Sequence, residues 1–261
     1  MSATLLYEAT EGLARITIAQ DAKMNAMTFE MWSALPGLIS RAAADPAIRA
    51  IVLTGAGEKA FCAGADISQF GARRSDPEAV AAYDHAVAAG MTALAGAEKP
   101  TVALIRGICF GGGFGLALAC DIRLARADAR FRVPAARLGL GYGYEGVKLI
   151  SRKLGPDATA DILFSARILD AAEAERLGVV ARAWAAEAFE TESAAYLGQI
   201  AANAPLTLVA AKRALVELAR PEAERDLDAV AARVAACFAS ADYREGQAAF
   251  KEKRPPRFTG A

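Results

Sequence analysis

The sequence predicts an α/β core followed by a region built only of helices. Three observations predict it. Short apolar segments that read as strands alternate with helical segments up to about residue 185. From Ala186 onward the pattern is helical alone. Between an apolar strand segment and an apolar helix segment stands a cluster of three glycines, Gly111-Gly112-Gly113. No linker, internal repeat or low-complexity stretch interrupts the chain, so the expected division is an α/β core over 1–185 and a helical region over 186–261.

Composition narrows the function classes. At 261 residues and 54% hydrophobic, the chain can bury a sizeable core. Lys+Arg and Asp+Glu both total 30, which argues against a strongly basic nucleic-acid binder. The four cysteines (Cys62, Cys109, Cys120, Cys237) are far apart and His85 is the only histidine. That argues against a zinc site and for reduced core thiols of a cytoplasmic protein. No metal is expected. The N-terminus lacks a basic segment followed by an apolar one, and no run of 18 apolar residues occurs, so neither a signal peptide nor a membrane span is expected.

Taken in order, residues 5–9 and 14–19 read as two strands around a turn at Glu11-Gly12. After the loop Lys23-Met24-Asn25-Ala26-Met27, Thr28 is placed to cap a helix over 29–44, with a kink or break expected at Pro36. Residues 50–55 form a strand that ends in glycine and opens the loop Ala60-Phe61-Cys62-Ala63-Gly64-Ala65-Asp66-Ile67. Residues 69–75 are expected to be mobile. Pro77 starts a helix through about 94 that carries His85, read as an ordinary helix residue.

Residues 101–105 are a buried strand leading to the glycines, and 116–119 a short buried helix. Glycine at such a turn permits positive φ and close approach of another molecule to the main chain. The first amides of a helix lack internal partners and suit an anion, or an oxygen that becomes one during a reaction. A dinucleotide fingerprint fails on spacing: the third glycine would fall on Leu116 or Leu118. Close helix–strand packing is the plainer use of these glycines. Strands are expected at 122–125 and 130–133. The glycine-dense stretch 138–147, with Tyr142, Tyr144 and Glu145, leads into a helix ending near 154. Asp170 caps a further helix, closed by Gly178 and followed by a strand at 179–180. The helices at 206–218 and 227–238 have wide apolar faces that only a partner can bury.

The segment KPTVALIRGICFGGGFGLALACDIRLA resembles the central segment of the crotonase (enoyl-CoA hydratase/isomerase) superfamily. FCAGADI resembles the other signature of that family, and KMNAM, the 171–180 stretch and the closing EKRPPRF are similar to further family segments. The resemblance runs from the first hairpin to the last Pro-x-Phe. It implies a spiral of ββα repeats with a C-terminal α-helical trimerisation region. It also implies a homotrimer or a hexamer (dimer of trimers), and an acyl-CoA thioester as substrate, with coenzyme A part of that substrate and no permanently bound cofactor.

On carry-over, the backbone N–H groups of Ala65 and Gly112 form an oxyanion hole for an enolate. Lys23, Ala63, Ala65, Asp66 and Ile67 lie along coenzyme A, with Asp66 mainly structural, and Lys251 and Lys253 reach its phosphates. Read locally, Lys23 is first a solvated loop lysine, and the basic tail reads equally as a solvated helix end. The family's two hydratase glutamates are missing: Gly115 and Ala135 stand in their places. Neither transfers a proton. Glu145 and Tyr142 are therefore the expected acid/base candidates; Glu145 would need burial beside Tyr142 and Tyr144 to act, and a helix N-terminal glutamate that complements the dipole and points at solvent is the plainer reading. Tyr142 falls where the related methylmalonyl-CoA decarboxylases carry a tyrosine, although Ala65 replaces a histidine of that group. An acyl-CoA isomerase or lyase is expected. The alternatives are an acyl-CoA decarboxylase and a CoA-binding scaffold without turnover.

Overall fold

The computed structural model describes residues 3–69 and 76–261. Ten strands form two sheets. β1 (Thr4–Thr10), β2 (Leu13–Ala19), β3 (Ala50–Gly55), β5 (Thr101–Ile105), β7 (Ile122–Arg126) and β10 (Arg182–Trp184) make a six-stranded sheet in the order β1-β2-β3-β5-β7-β10. Only its first pair is antiparallel. β4 (Ala60–Cys62), β6 (Ile108–Phe110), β8 (Arg130–Arg132) and β9 (Leu169–Asp170) make a four-stranded sheet in that order. From β3 to β8, consecutive strands alternate between the two sheets. Each pair is followed by a helix: α2 (Pro77–Ala95) after β3–β4, α3 (Gly112–Ala119) after β5–β6, and α4 (Tyr144–Leu154) with α5 (Pro156–Ser165) after β7–β8. This is the expected ββα spiral.

β3 and β5 are buried along their whole length because the sheet is covered on both faces. Side-chain alternation divides them. Ile51, Leu53, Ala103 and Ile105 join the large core that includes α1 (Phe29–Ala44) and α3, whereas Val52, Val102 and Leu104 face Phe189 and Leu197 of α7 (Ala186–Ala201). The first helix after residue 185 thus forms the second covering layer of the sheet. α8 (Pro205–Leu218), α9 (Leu227–Ala239) and α10 (Ala241–Glu252) follow it.

Three local expectations change. α1 runs unbroken through Pro36, held on either side by buried Leu35 and Ile39. The strand expected at 179–180 begins at Arg182 instead. The Val179 and Val180 amides are spent on the Ala174 carbonyl, closing the end of α6 (Ala171–Arg176). The short strand β6, between Gly107 and Gly111, has no counterpart in the sequence reading. Within the stretch expected to be mobile, Gln69 is anchored by accepting the Phe29 N–H at 2.9 Å, and 70–75 lie outside the described residues.

Candidate active site

Two loops and one helix end build the site. Met24 and Asn25 both take left-handed φ (52° and 56°), a conformation asparagine tolerates better than most residues. The fully buried Asn25 side chain then joins three segments. Its Oδ1 accepts the Gln20 N–H at 3.0 Å, and its Nδ2 donates to the Ala56 and Ala60 carbonyls at 2.8 and 2.7 Å. The sequence reading quoted Asn25 but gave it no role. A buried side chain beside its own left-handed backbone is visible only after folding.

The 24–27 loop pairs with 63–66. Ala63 N–H donates to Met24 O (3.0 Å), Met27 N–H to Gly64 O (2.7 Å) and Asp66 N–H to Met27 O (2.9 Å). Extended backbone alternates its N–H directions, so the Ala65 N–H is turned away from this pairing. It meets the N-terminus of α3. Gly64, at φ 112°, lies so close that a methyl group on it would stand 3.3 Å from Gly112 N. Among the described residues neither the Ala65 nor the Gly112 N–H has a hydrogen-bond partner. Both residues are half-buried, hence reachable.

The three glycines have different tasks. Gly111 holds φ 52° while its N–H reaches Arg132 O at 2.9 Å. A methyl group on Gly113 would fall 2.1 Å from Cys62 O, so this position requires glycine for packing. A methyl group on Gly112 would meet only ordinary contacts: Trp32 Cζ2 at 3.5 Å and Ala65 N at 3.7 Å. Residues 113–119 of α3 are buried. At its C-terminal end Arg123 and Lys153 donate to Cys120 O at 2.9 and 3.4 Å. Cations there complement the helix dipole, whose positive end lies at Gly112. Burial lowers the pKa of both cations.

Asp66 is buried and structural. It accepts from Ser68 Oγ (2.7 Å), Ser68 N (3.0 Å), Gln20 Nε2 (3.3 Å) and Lys23 Nζ (2.9 Å). Burial opposes its ionisation, but Ser68 and Lys23 outweigh that and hold its pKa below the usual carboxylate range. Lys23 is therefore a paired lysine, also donating to Ser68 Oγ at 2.7 Å, rather than a free solvated one. Ala63 is half-buried and Ile67 projects into solvent from the same loop.

Lys251 and Lys253 lie elsewhere. No hydrogen bond or ion pair among the described residues links them to the 23–68 loop. The C-terminal tail is fastened to Asp242 and, through Thr259 O, to Arg49 just before β3, whereas Lys23 and Asp66 lie beyond the other end of that strand. Six strand residues separate those ends by roughly 17 Å.

In the 138–146 stretch Glu145 takes the solvent-facing alternative. Its carboxylate is 79% exposed and pairs with Lys148 at 3.4 Å, in the first turn of α4. Tyr144 is also exposed, with Lys148 over its ring. Tyr142 alone turns inward. It packs on the main core and against Gly146, and burial pushes its phenol pKa up.

Met91 of α2 fills the space beside Gly115. Its methyl lies 2.8 Å from the position a side chain on Gly115 would take. Ala135 sits half-buried in a 3-10 turn and offers no titratable group. His85 is exposed on α2. Cys62 and Cys120 are pushed up to about 12 by burial, so neither is a nucleophile near neutral pH. Among the described residues no group of three metal-ligating side chains occurs, and no single helix is long and apolar enough to cross a membrane.

The ββα spiral is a crotonase-type fold, and at the half-buried N-terminus of one of its helices two unpartnered backbone donors converge. The chain belongs to the enoyl-CoA hydratase/isomerase family, whose sequence model matches residues 8–261. It is 32% identical over 256 residues to a crotonyl-CoA hydratase of Syntrophomonas wolfei, covering 97% of each chain. It is 34% identical over 259 residues to a carnitinyl-CoA dehydratase of Proteus mirabilis, covering 98% of each. The crystal structure of an enoyl-CoA hydratase/carnitine racemase from Magnetospirillum magneticum superposes with a TM-score of 0.92 at 35% identity, covering 100% of this chain and 97% of that one.

Proposed function

We propose that this protein is an acyl-CoA enzyme that holds a thioester oxygen between the N–H groups of Ala65 and Gly112 and stabilises the enolate formed there. The observation that carries this reading is the convergence of those two unpartnered donors. The relatives named above act on CoA thioesters, which supports the substrate class. Lys23, Ala63, Asp66 and Ile67 would line the CoA path on one chain. Lys251 and Lys253 would reach its phosphates from a neighbouring copy, since their own tail is fastened at the far end of β3. Unpaired cysteines suit a reducing, cytoplasmic setting.

Addition of water by a glutamate pair has no counterpart here, because Gly115 and Ala135 carry no proton. The neutral phenol of Tyr142 is the best-placed proton donor of its loop. A reaction that creates the enolate without a base, such as loss of carbon dioxide, would need only such a donor. This favours a decarboxylase over a standard hydratase. For an active thioester, Tyr142→Phe should cost at least about tenfold in kcat, roughly 1.4 kcal/mol, and Glu145→Gln less than that. The reverse order would return the role to Glu145.

Calorimetry with acetyl-CoA or a longer thioester should give a Kd between about 1 μM and 1 mM. No heat at millimolar ligand would remove the reading, and binding without turnover across a thioester panel would leave a scaffold. The same preparation should be trimeric or hexameric. Phe238 and Phe250, exposed by 62% and 86%, border an apolar cleft of about 740 Å³ between α8, α9 and α10, which supports coverage by a second copy. Light scattering at the single-chain mass of 27.2 kDa would contradict that.

A further inference from the structure

Trp32, on α1, is 1% exposed, and its indole Nε1 has no hydrogen-bond partner among the described residues. An indole N–H can only donate, and a buried donor without an acceptor is rare in native proteins. Its placement is specific. Cζ2, one ring atom away from Nε1, lies 3.5 Å from the point a Gly112 methyl would occupy, and that same point is 3.7 Å from Ala65 N. The opposite edge of the indole, Cε3 and Cζ3, lies against Gly90 of α2, 3.1 and 3.6 Å from where a methyl on that glycine would stand. The edge that carries Cζ2, two bonds from Nε1, is therefore turned toward the two backbone donors. Next to Gly90 in the chain, Met91 lays its flexible methyl over Gly115 in the same region.

We propose that Trp32 is a specificity residue whose Nε1–H receives an oxygen of the acyl group, so that the substrate is an acyl-CoA bearing an oxygen acceptor close to the thioester. This rests on the acyl-CoA reading above. With the thioester oxygen on Ala65 and Gly112, the first carbons of the acyl chain run beside the indole edge and displace the Met91 side chain. An oxygen on those carbons, from a hydroxyl or a carboxylate, completes the orphan donor. A hydrocarbon chain leaves it unpaired, and sites built to bond a polar group reject analogues that lack it.

The test compares butyryl-CoA, 3-hydroxybutyryl-CoA and malonyl-CoA on the full-length protein and on Trp32→Phe, by calorimetric Kd. The parent should bind at least one oxygen-bearing thioester about tenfold more tightly than butyryl-CoA. Trp32→Phe should bind butyryl-CoA as the parent does and lose the preference. The arm that shows the preference tells hydroxyl from carboxylate. A second measurement covers the case in which Trp32→Phe fails to fold. In Trp184→Phe, Trp32 is the sole tryptophan, and its 15N-labelled indole resonance should move downfield with the preferred thioester and not with butyryl-CoA. Equal affinities in the parent, a preference that survives Trp32→Phe, or an unmoved indole resonance would overturn the role of Trp32 while leaving the acyl-CoA reading intact. Failure of all three thioesters to bind would overturn both.

Discussion

Gly112→Ala should fold like the parent and lose turnover by on the order of 10²–10³-fold, the range in which loss of one oxyanion donor falls. The added methyl finds contacts of 3.5 Å to Trp32 and 3.7 Å to Ala65 N, which the fold accommodates. It stands, however, in the space between the two donors that a thioester oxygen must enter. Gly113→Ala is the control. Its methyl would fall 2.1 Å from Cys62 O and force β4 away from α3, at a cost of about 2 kcal/mol or more. Thermal unfolding and thioester turnover on the two variants should therefore separate: activity lost with the fold kept at 112, stability lost at 113. A Gly112→Ala protein that turns over within about threefold of the parent would contradict the assignment of this amide.

Lys212→Met should destabilise the protein by about 3 kcal/mol, the lower part of the range for removing one partner of a buried ion pair. Lys212 on α8 is 3% exposed and donates to both Asp121 oxygens, at 2.6 and 2.8 Å. Asp121 also accepts the Thr101 N–H and hydroxyl, at 2.9 and 3.0 Å, so one carboxylate ties α8 to β5 and to the residue just beyond α3. Without the lysine, a partly buried carboxylate keeps only neutral hydrogen-bond partners, with Arg123 and Lys153 acting on it from farther away. Urea unfolding measures the loss, and adding Asp121→Asn should recover part of it. A loss below about 1 kcal/mol would mean that the pair behaves like a surface salt bridge.

The sequence by itself determined the order of the elements and most of their chemistry. Continuous apolar runs marked β3 and β5, Thr28 and Asp170 marked helix starts, and the FCAGADI and GGGFG segments carried the family resemblance that pointed to the Ala65 and Gly112 amides. Those signals are local, because caps, glycines and apolar periodicity act within a few residues. The absence of the two glutamates was equally plain, since a missing side chain at Gly115 or Ala135 needs no structure to be seen.

Only the tertiary structure decided which way side chains face and what fills the vacated space. Glu145 and Tyr142 lie three residues apart in one loop, yet one is solvated beside Lys148 and the other is half-buried against the core. The packing of α4 on α3 makes that choice. The Met91 methyl over Gly115, the Asn25 brace between loops and the unpartnered Trp32 N–H all join segments from different helices and loops. Such contacts arise from long-range packing, whose geometry is set by the whole core and leaves no mark in any short stretch of chain.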